Sequence, residues 1–232
     1  PQPVASWSGI RPAVAFGPTA PQSPYPAPMS SLLGSVQIPG EDILTLNVWA
    51  PADAEAAPVV VWIHGGAFER GTAALSGYDG TSFAADGIVY VSVNYRLGSE
   101  GFSVLKDAPL NLGLRDVAAA LQWVHAEIAA FGGDPGRITL MGESAGGSLV
   151  AALLARDDTR PLVSGAIIQS APLEAKPASV AGKVTGALAK RLKVPATREG
   201  FARRRPDELV EARRQQSAGS SPLGRTPGFH LA

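Results

Sequence analysis

A serine enclosed by glycines and small residues, Gly142-Glu143-Ser144-Ala145-Gly146, is the first place where residue type and spacing suggest chemistry. At average residue usage a G-x-S-x-G run arises by chance in roughly one chain in ten of this length, so alone it is weak. Its flanks add weight. Arg137 to Met141 reads as an incoming strand and Ser148 to Leu154 as an outgoing helix, the arrangement that leaves a serine hydroxyl exposed on a strained turn. A serine so placed is a nucleophile for acyl transfer, and the helix start beneath it lends positive potential where an oxyanion forms.

The second element is His64-Gly65-Gly66-Ala67-Phe68, directly after the apolar run Val59 to Ile63. A loop of small residues can turn backbone N–H groups inward, as an oxyanion hole requires. Gly66, Ala67 and Ala145 are the donors this spacing predicts. A glycine turn after a strand is ordinary by itself; both elements, in this order and separated by helix, strand, helix and strand, favour a site.

Serine also needs a general base, and after a strand–serine–helix turn the expected order is Ser, then Asp or Glu, then His. Only His230 follows Ser144, with Glu174, Glu199, Glu208 and Glu211 as the glutamates between them. A residue so near a chain terminus seldom fixes a base to the tolerance of proton transfer, so His230 is not expected to serve. His64 precedes the serine and is expected to hold its loop by hydrogen bonding. His125 reads as a surface residue, Glu143 is expected to point away from Ser144, and Asp116 and Arg96 read as structural charges. Phe68 and Tyr78 could wall the site or fill the core.

These residues need a scaffold. Ile43 to Trp49, Pro58 to Ile63, Gly87 to Val93, Arg137 to Met141 and Gly165 to Gln169 are short apolar runs bounded by Gly, Pro or Asp, and read as strands. The unalternating Val59 to Ile63 suits a strand covered on both faces, whereas Ile43 to Trp49 alternates weakly and belongs nearer an edge. Leu114, Val117, Ala118, Leu121, Val124, Ile128 and Phe131 recur at helical spacing before Gly132-Gly133; Ser148 to Ala155 and Val180 to Leu192 read as further helices. Alternating strands and helices predict an α/β fold with a doubly wound, mostly parallel sheet.

Residues 1–40 hold nine of the 20 prolines, which forbid helix and central strand over most of that stretch and leave a loose linker or an arm pinned by Trp7, Phe16 and Tyr25. Beyond Pro195, Arg203-Arg204-Arg205 before Pro206-Asp207-Glu208 reads as a solvated helix entry, with Arg213 and Arg214 at its far end. The expected organisation is one domain: a proline-rich front (1–40), a sheet core (41–175) and a helical remainder (176–232). Twenty Lys and Arg balance twenty Asp and Glu, which makes nucleic acid an unlikely partner. The absence of cysteine excludes disulfides and thiolate chemistry. No apolar run approaches the ~20 residues of a membrane-spanning helix. Compartment and oligomeric state are not legible.

The motifs together resemble the type B carboxylesterases, a family that includes cholinesterases and bacterial para-nitrobenzyl esterases. The similarity runs through Glu41 to Trp49, His64 to Phe68, Val93 to Gly98, Asn111 to Asp116, Phe131 to Pro135 and Gly142 to Gly147, with Ala15 to Pro18 and Gln22 at the front. It fades beyond about Pro177. The resemblance implies an α/β-hydrolase fold incomplete at both ends, with Ser144 as nucleophile and the N–H groups of Gly66, Ala67 and Ala145 as oxyanion hole. It implies a small-molecule carboxylic ester substrate and no metal or organic cofactor. It also puts the triad's acid and histidine beyond residue 232, so that the piece could be inactive by itself. Ile43 stands where many animal members carry a disulfide cysteine, and Ala67 replaces a third glycine. The alternatives are a hormone-sensitive-lipase-like esterase and a non-catalytic cholinesterase-like interaction protein.

Overall fold

The computed structural model describes residues 6–25, 27–218 and 228–232. Residues 1–5, Pro26 and 219–227, which fall in the proline-rich front and the helical remainder expected from sequence, lie outside the described residues.

Among the described residues five strands form one mixed sheet. In chain order they are β1 (Leu46–Trp49), β2 (Ala57–Ile63), β3 (Val89–Val93), β4 (Gly133–Glu143) and β5 (Gly165–Gln169). Their spatial order is β1-β3-β2-β4-β5, with β1 antiparallel to β3 and every other pair parallel. The apolar run of β2 is therefore flanked by strands on both sides, and Val59, Val61 and Ile63 are buried. Each such side chain contributes about 2 kcal/mol of burial free energy.

Between the strands run α1 (Thr81–Ala85), α2 (Gly98–Phe102), α3 (Leu112–Glu127) and α4 (Ala145–Leu154); α5 (Ala178–Leu192), α6 (Arg198–Ala202) and α7 (Pro206–Ala218) follow β5. The 3.6-residue spacing of α3 buries Leu114, Val117, Leu121 and Val124. That helix tightens into a 3-10 turn over Ile128–Phe131 and stops at Gly132, whose φ of 77° is left-handed.

The front segment is an arm attached to the body. The side-chain amide of Gln22 donates to the carbonyl of Gly71 at 2.9 Å and accepts from its N–H at 2.8 Å. Phe16 packs on Trp49 with ring centroids 6.1 Å apart. Trp7 takes no part in this attachment: it is 60% exposed, with Arg11 over its ring.

Two features are set by distant packing. At the far end of α7, Arg214 is exposed and Arg213 is not. Arg213 is buried because Glu69, 144 residues earlier, meets it with hydrogen bonds of 3.0 and 2.6 Å from Nε and Nη2. The other is β5, a parallel strand that would normally be covered; as an edge strand it leaves Ile167 and Ile168 44% and 39% exposed.

Candidate active site

Ser144 lies where β4 ends and α4 begins. Its φ of 54° and ψ of −121° put a non-glycine residue in a sparsely populated region, at a cost of order 1–3 kcal/mol that its surroundings must offset. Two contacts hold it there. Its N–H donates to the carbonyl of Gln169 at 2.8 Å, and its carbonyl accepts from the N–H of Ser148 at 3.1 Å. Ser148 Oγ in turn donates to the carbonyl of Pro172 at 2.7 Å, tying α4 to the segment after β5.

The glycines around the serine permit close approach. A Cβ on Gly146 would lie 2.0 Å from the carbonyl oxygen of Ile63, so α4 can start against the end of β2 only without a side chain there. A Cβ on Gly65 would come within 3.2 Å of Ser144 Cβ and 2.6 Å of Glu143 Oε2. The His64–Phe68 loop and the serine turn are thus in contact, and the Glu143 carboxylate faces that loop.

The loop has an unusual backbone. Gly66, Ala67 and Phe68 have φ values of 110°, 57° and 61°, three successive residues in the positive region. The N–H groups of Glu69 and Arg70 donate back to the carbonyl of Gly66 at 3.0 and 3.1 Å, closing a single turn. Among the described residues, the N–H groups of Gly66 and Ala67 have no intramolecular acceptor. Phe68 belongs to the core, 4.6 Å from Phe102 between ring centroids. Its carbonyl accepts from the N–H of Gly98 at 2.6 Å. Tyr78 packs on Trp62 at 5.1 Å.

His64 is buried beside this loop. Its Nδ1 is 2.8 Å from the carbonyl of Gly65, which makes Nδ1 the protonated nitrogen, and Nε2 has no partner. Burial lowers its pKa to about 4, against a smaller opposing effect of the Gly65 hydrogen bond. The ring stays neutral near pH 7 and serves as a spacer. Tyr95 stacks on it at 4.5 Å and donates its hydroxyl to the carbonyl of His64 at 2.7 Å. Tyr95 is part of the clamp that sequence reasoning missed, since no periodicity links it to His64.

None of the other candidate residues forms a hydrogen bond with Ser144 among the described residues. Arg96 forms a bidentate pair with Asp116 at 2.7 and 2.6 Å, and its backbone N–H donates to the same carboxylate at 3.1 Å. His125 is exposed on α3. Neither Ser144 Oγ nor either ring nitrogen of His230 takes part in a hydrogen bond among the described residues. The last residues dock on Lys176 and Asn111: Lys176 N–H donates to the Leu231 carbonyl at 2.9 Å, and Asn111 bonds to both backbone groups of Ala232. No group of three or more potential metal ligands occurs among the described residues, and no described helix is long and apolar enough to cross a membrane.

A mostly parallel sheet whose central strand is followed by a small-residue loop, beside a strand–serine–helix turn, defines the α/β-hydrolase class. A sequence model of the carboxylesterase family matches residues 1–223. The chain belongs to that family, and the match extends past Pro177, where the separate motifs fade. It is 45% identical over 183 residues to phenmedipham hydrolase of Pseudarthrobacter oxydans, covering 77% of this chain and 37% of that protein. It is 39% identical over 234 residues to carboxylesterase 3 of Pongo abelii, covering 94% of this chain and 41% of that protein. The solved structure of a PNB esterase superposes with a TM-score of 0.78 at 33% identity, over 94% of this chain and 46% of that one. The chain thus spans less than half the length of these relatives.

Proposed function

We propose that this chain carries the nucleophile and oxyanion hole of a serine carboxylic ester hydrolase acting on small-molecule esters. Ser144 Oγ attacks the ester carbonyl, the N–H groups of Gly66, Ala67 and Ala145 receive the oxyanion, the alcohol leaves, and water releases the acid from the acyl-enzyme. The observation that carries this reading is the strained backbone of Ser144 at the β4–α4 junction, with the Gly65 backbone against its Cβ. Family membership favours this over a hormone-sensitive-lipase-like enzyme, and the intact Gly142-Glu143-Ser144-Ala145-Gly146 turn favours it over a non-catalytic relative.

The proton from Ser144 Oγ needs an acceptor, and no histidine contacts it among the described residues. We assign the acid and histidine of the triad to a portion of the protein beyond residue 232, in keeping with the chain's span of 37–46% of its relatives. The 232 residues then form one part-length domain. Labelling with a fluorophosphonate, beside Ser144→Ala, tests both assignments. No labelling of the chain, and Ser144-dependent labelling of a longer chain, is the expected outcome. Labelling of the 232-residue chain that vanishes in Ser144→Ala would put a working base inside it and overturn the triad assignment. Labelling that survives in Ser144→Ala, or fails in the longer chain, would sink the nucleophile assignment.

A further inference from the structure

A cleft of about 410 Å³ opens outside the carboxyl ends of β2 and β3, the same side of the sheet from which Ser144 emerges after β4. In open α/β sheets this is the side where ligands bind. Its walls include Tyr25 of the front arm, Glu69 and Arg70 after the oxyanion loop, Glu100 of α2, and Leu209 and Arg213 of α7.

The charged groups of this cleft are not equivalent. Glu69 is committed to Arg213 through hydrogen bonds of 3.0 and 2.6 Å, with side chains only 13% and 10% exposed. Burial raises the Glu100 carboxyl above its usual range, with the charge of Arg96 opposing. Arg70 stands apart. Its guanidinium lies over the Tyr25 ring at 4.9 Å, its contact with Glu69 is 3.7 Å long, and its buried Nε has no hydrogen-bond partner. Arg214, the remaining cation of the cleft, is paired with Glu211 at 2.6 Å, so Arg70, over its ring and with Nε unpartnered, is the least committed cation beside the apolar side chains of Leu97 and Leu209.

Arg70 is also coupled to the serine turn. Its N–H closes the turn onto Gly66 at 3.1 Å, and Tyr25 lies within electrostatic reach of both Arg70 and Glu143. A guanidinium held over an aromatic ring loses less freedom when its planar fork meets the two oxygens of a carboxylate.

We propose that Arg70 is a specificity-determining residue that binds the free carboxylate of an acidic ester, a half-ester of a short dicarboxylic acid, with the methylene chain against Leu97 and Leu209. This deepens the reading of Ser144 as an ester-attacking nucleophile and rests on it.

The test is calorimetric titration of the 232-residue Ser144→Ala chain with phenyl hemisuccinate and with phenyl butyrate, which differ only in a terminal carboxylate against a methyl group. Charge-assisted hydrogen bonds predict about tenfold or greater tighter binding of the hemisuccinate. Adding Arg70→Gln should bring the two affinities within about threefold, and Arg70→Lys should leave an intermediate preference because the charge stays and the planar fork goes. Thermal unfolding of each variant shows whether the fold persists; should Arg70→Gln not fold, the preference of the parent and its decline in Arg70→Lys decide. Equal affinities in the parent, an undiminished preference in the variants, or no binding of either ester overturns the assignment. Hemisuccinate preference without fluorophosphonate labelling in the longer chain would sink the nucleophile and leave the anion site standing. Labelling without preference would do the reverse.

Discussion

The hydroxyl of Tyr95 donates to the backbone carbonyl of His64 at 2.7 Å while the two rings stack 18° from parallel. This pair stands at the root of the His64–Phe68 loop, and both rings are almost wholly buried. Removing the hydroxyl strands a buried carbonyl, at a cost of about 1–3 kcal/mol. Tyr95→Phe should therefore lower the denaturation midpoint and, in a longer labelling-competent chain, slow fluorophosphonate capture. An unchanged midpoint would mean that stacking alone fixes the loop.

His64 makes stability depend on pH. Its folded pKa of about 4 lies below the ordinary value of 6.5, so the unfolded chain binds the extra proton between these limits. Stability from this group is fully present above pH 6.5 and declines as pH falls towards 4, by on the order of 3 kcal/mol. Urea midpoints measured from pH 7.5 to 4 should fall less steeply in His64→Gln than in the parent. Parallel curves for the two proteins would contradict this role.

Gly146 allows α4 to start against β2. Gly146→Ala would drive a methyl into the Ile63 carbonyl, 2.0 Å from the ideal Cβ position, where backbone has to move rather than a flexible side chain. Overpacking of this kind costs about 1–3 kcal/mol, occasionally more. Both the melting temperature and the serine's reactivity should drop, whereas Gly186→Ala, whose Cβ meets nothing within 4 Å, should leave both unchanged.

Asp116 carries three hydrogen bonds from Arg96 alone. Asp116→Asn would leave a half-buried guanidinium poorly paired, and breaking such a pair costs about 3 kcal/mol. At two to four degrees per kcal/mol for a chain of this size, a fall in melting temperature of roughly 6–12 °C is expected. The strand-to-α2 connection held by this pair leads into Gly98, whose N–H supports the Phe68 carbonyl. Calorimetric melting of the variant beside the parent checks the magnitude.

Much of the fold was legible because β2, α3 and the β4–serine–α4 turn are local patterns. Val59 to Ile63 could only be a covered strand, and α3 could only be amphipathic. What failed was set by distant partners. The first strand begins at Leu46 rather than Ile43 because pairing starts where Leu46 meets Val93. The fourth begins at Gly133, through Asp134-Pro135, because Gly133 pairs with Ala57 across a register shift; residues with turn chemistry are held in the ladder by a neighbour 76 positions away. The site was legible to the same degree. His64, the loop and the serine turn are contiguous motifs, whereas Tyr95, the Arg213–Glu69 pair and the placing of Arg70 over Tyr25 arise only when separate segments meet.

The clamp between Gln22 and Gly71 closes a loop of 49 residues with two hydrogen bonds. Bringing the ends of a free chain that long together costs on the order of 3 kcal/mol in lost entropy, while two such bonds return about 2 kcal/mol net. The clamp cannot recruit the arm before the intervening strands have paired. Attachment of the front segment is thus a readout of a finished core, and protease access to Pro18–Tyr25 should track the integrity of the whole sheet.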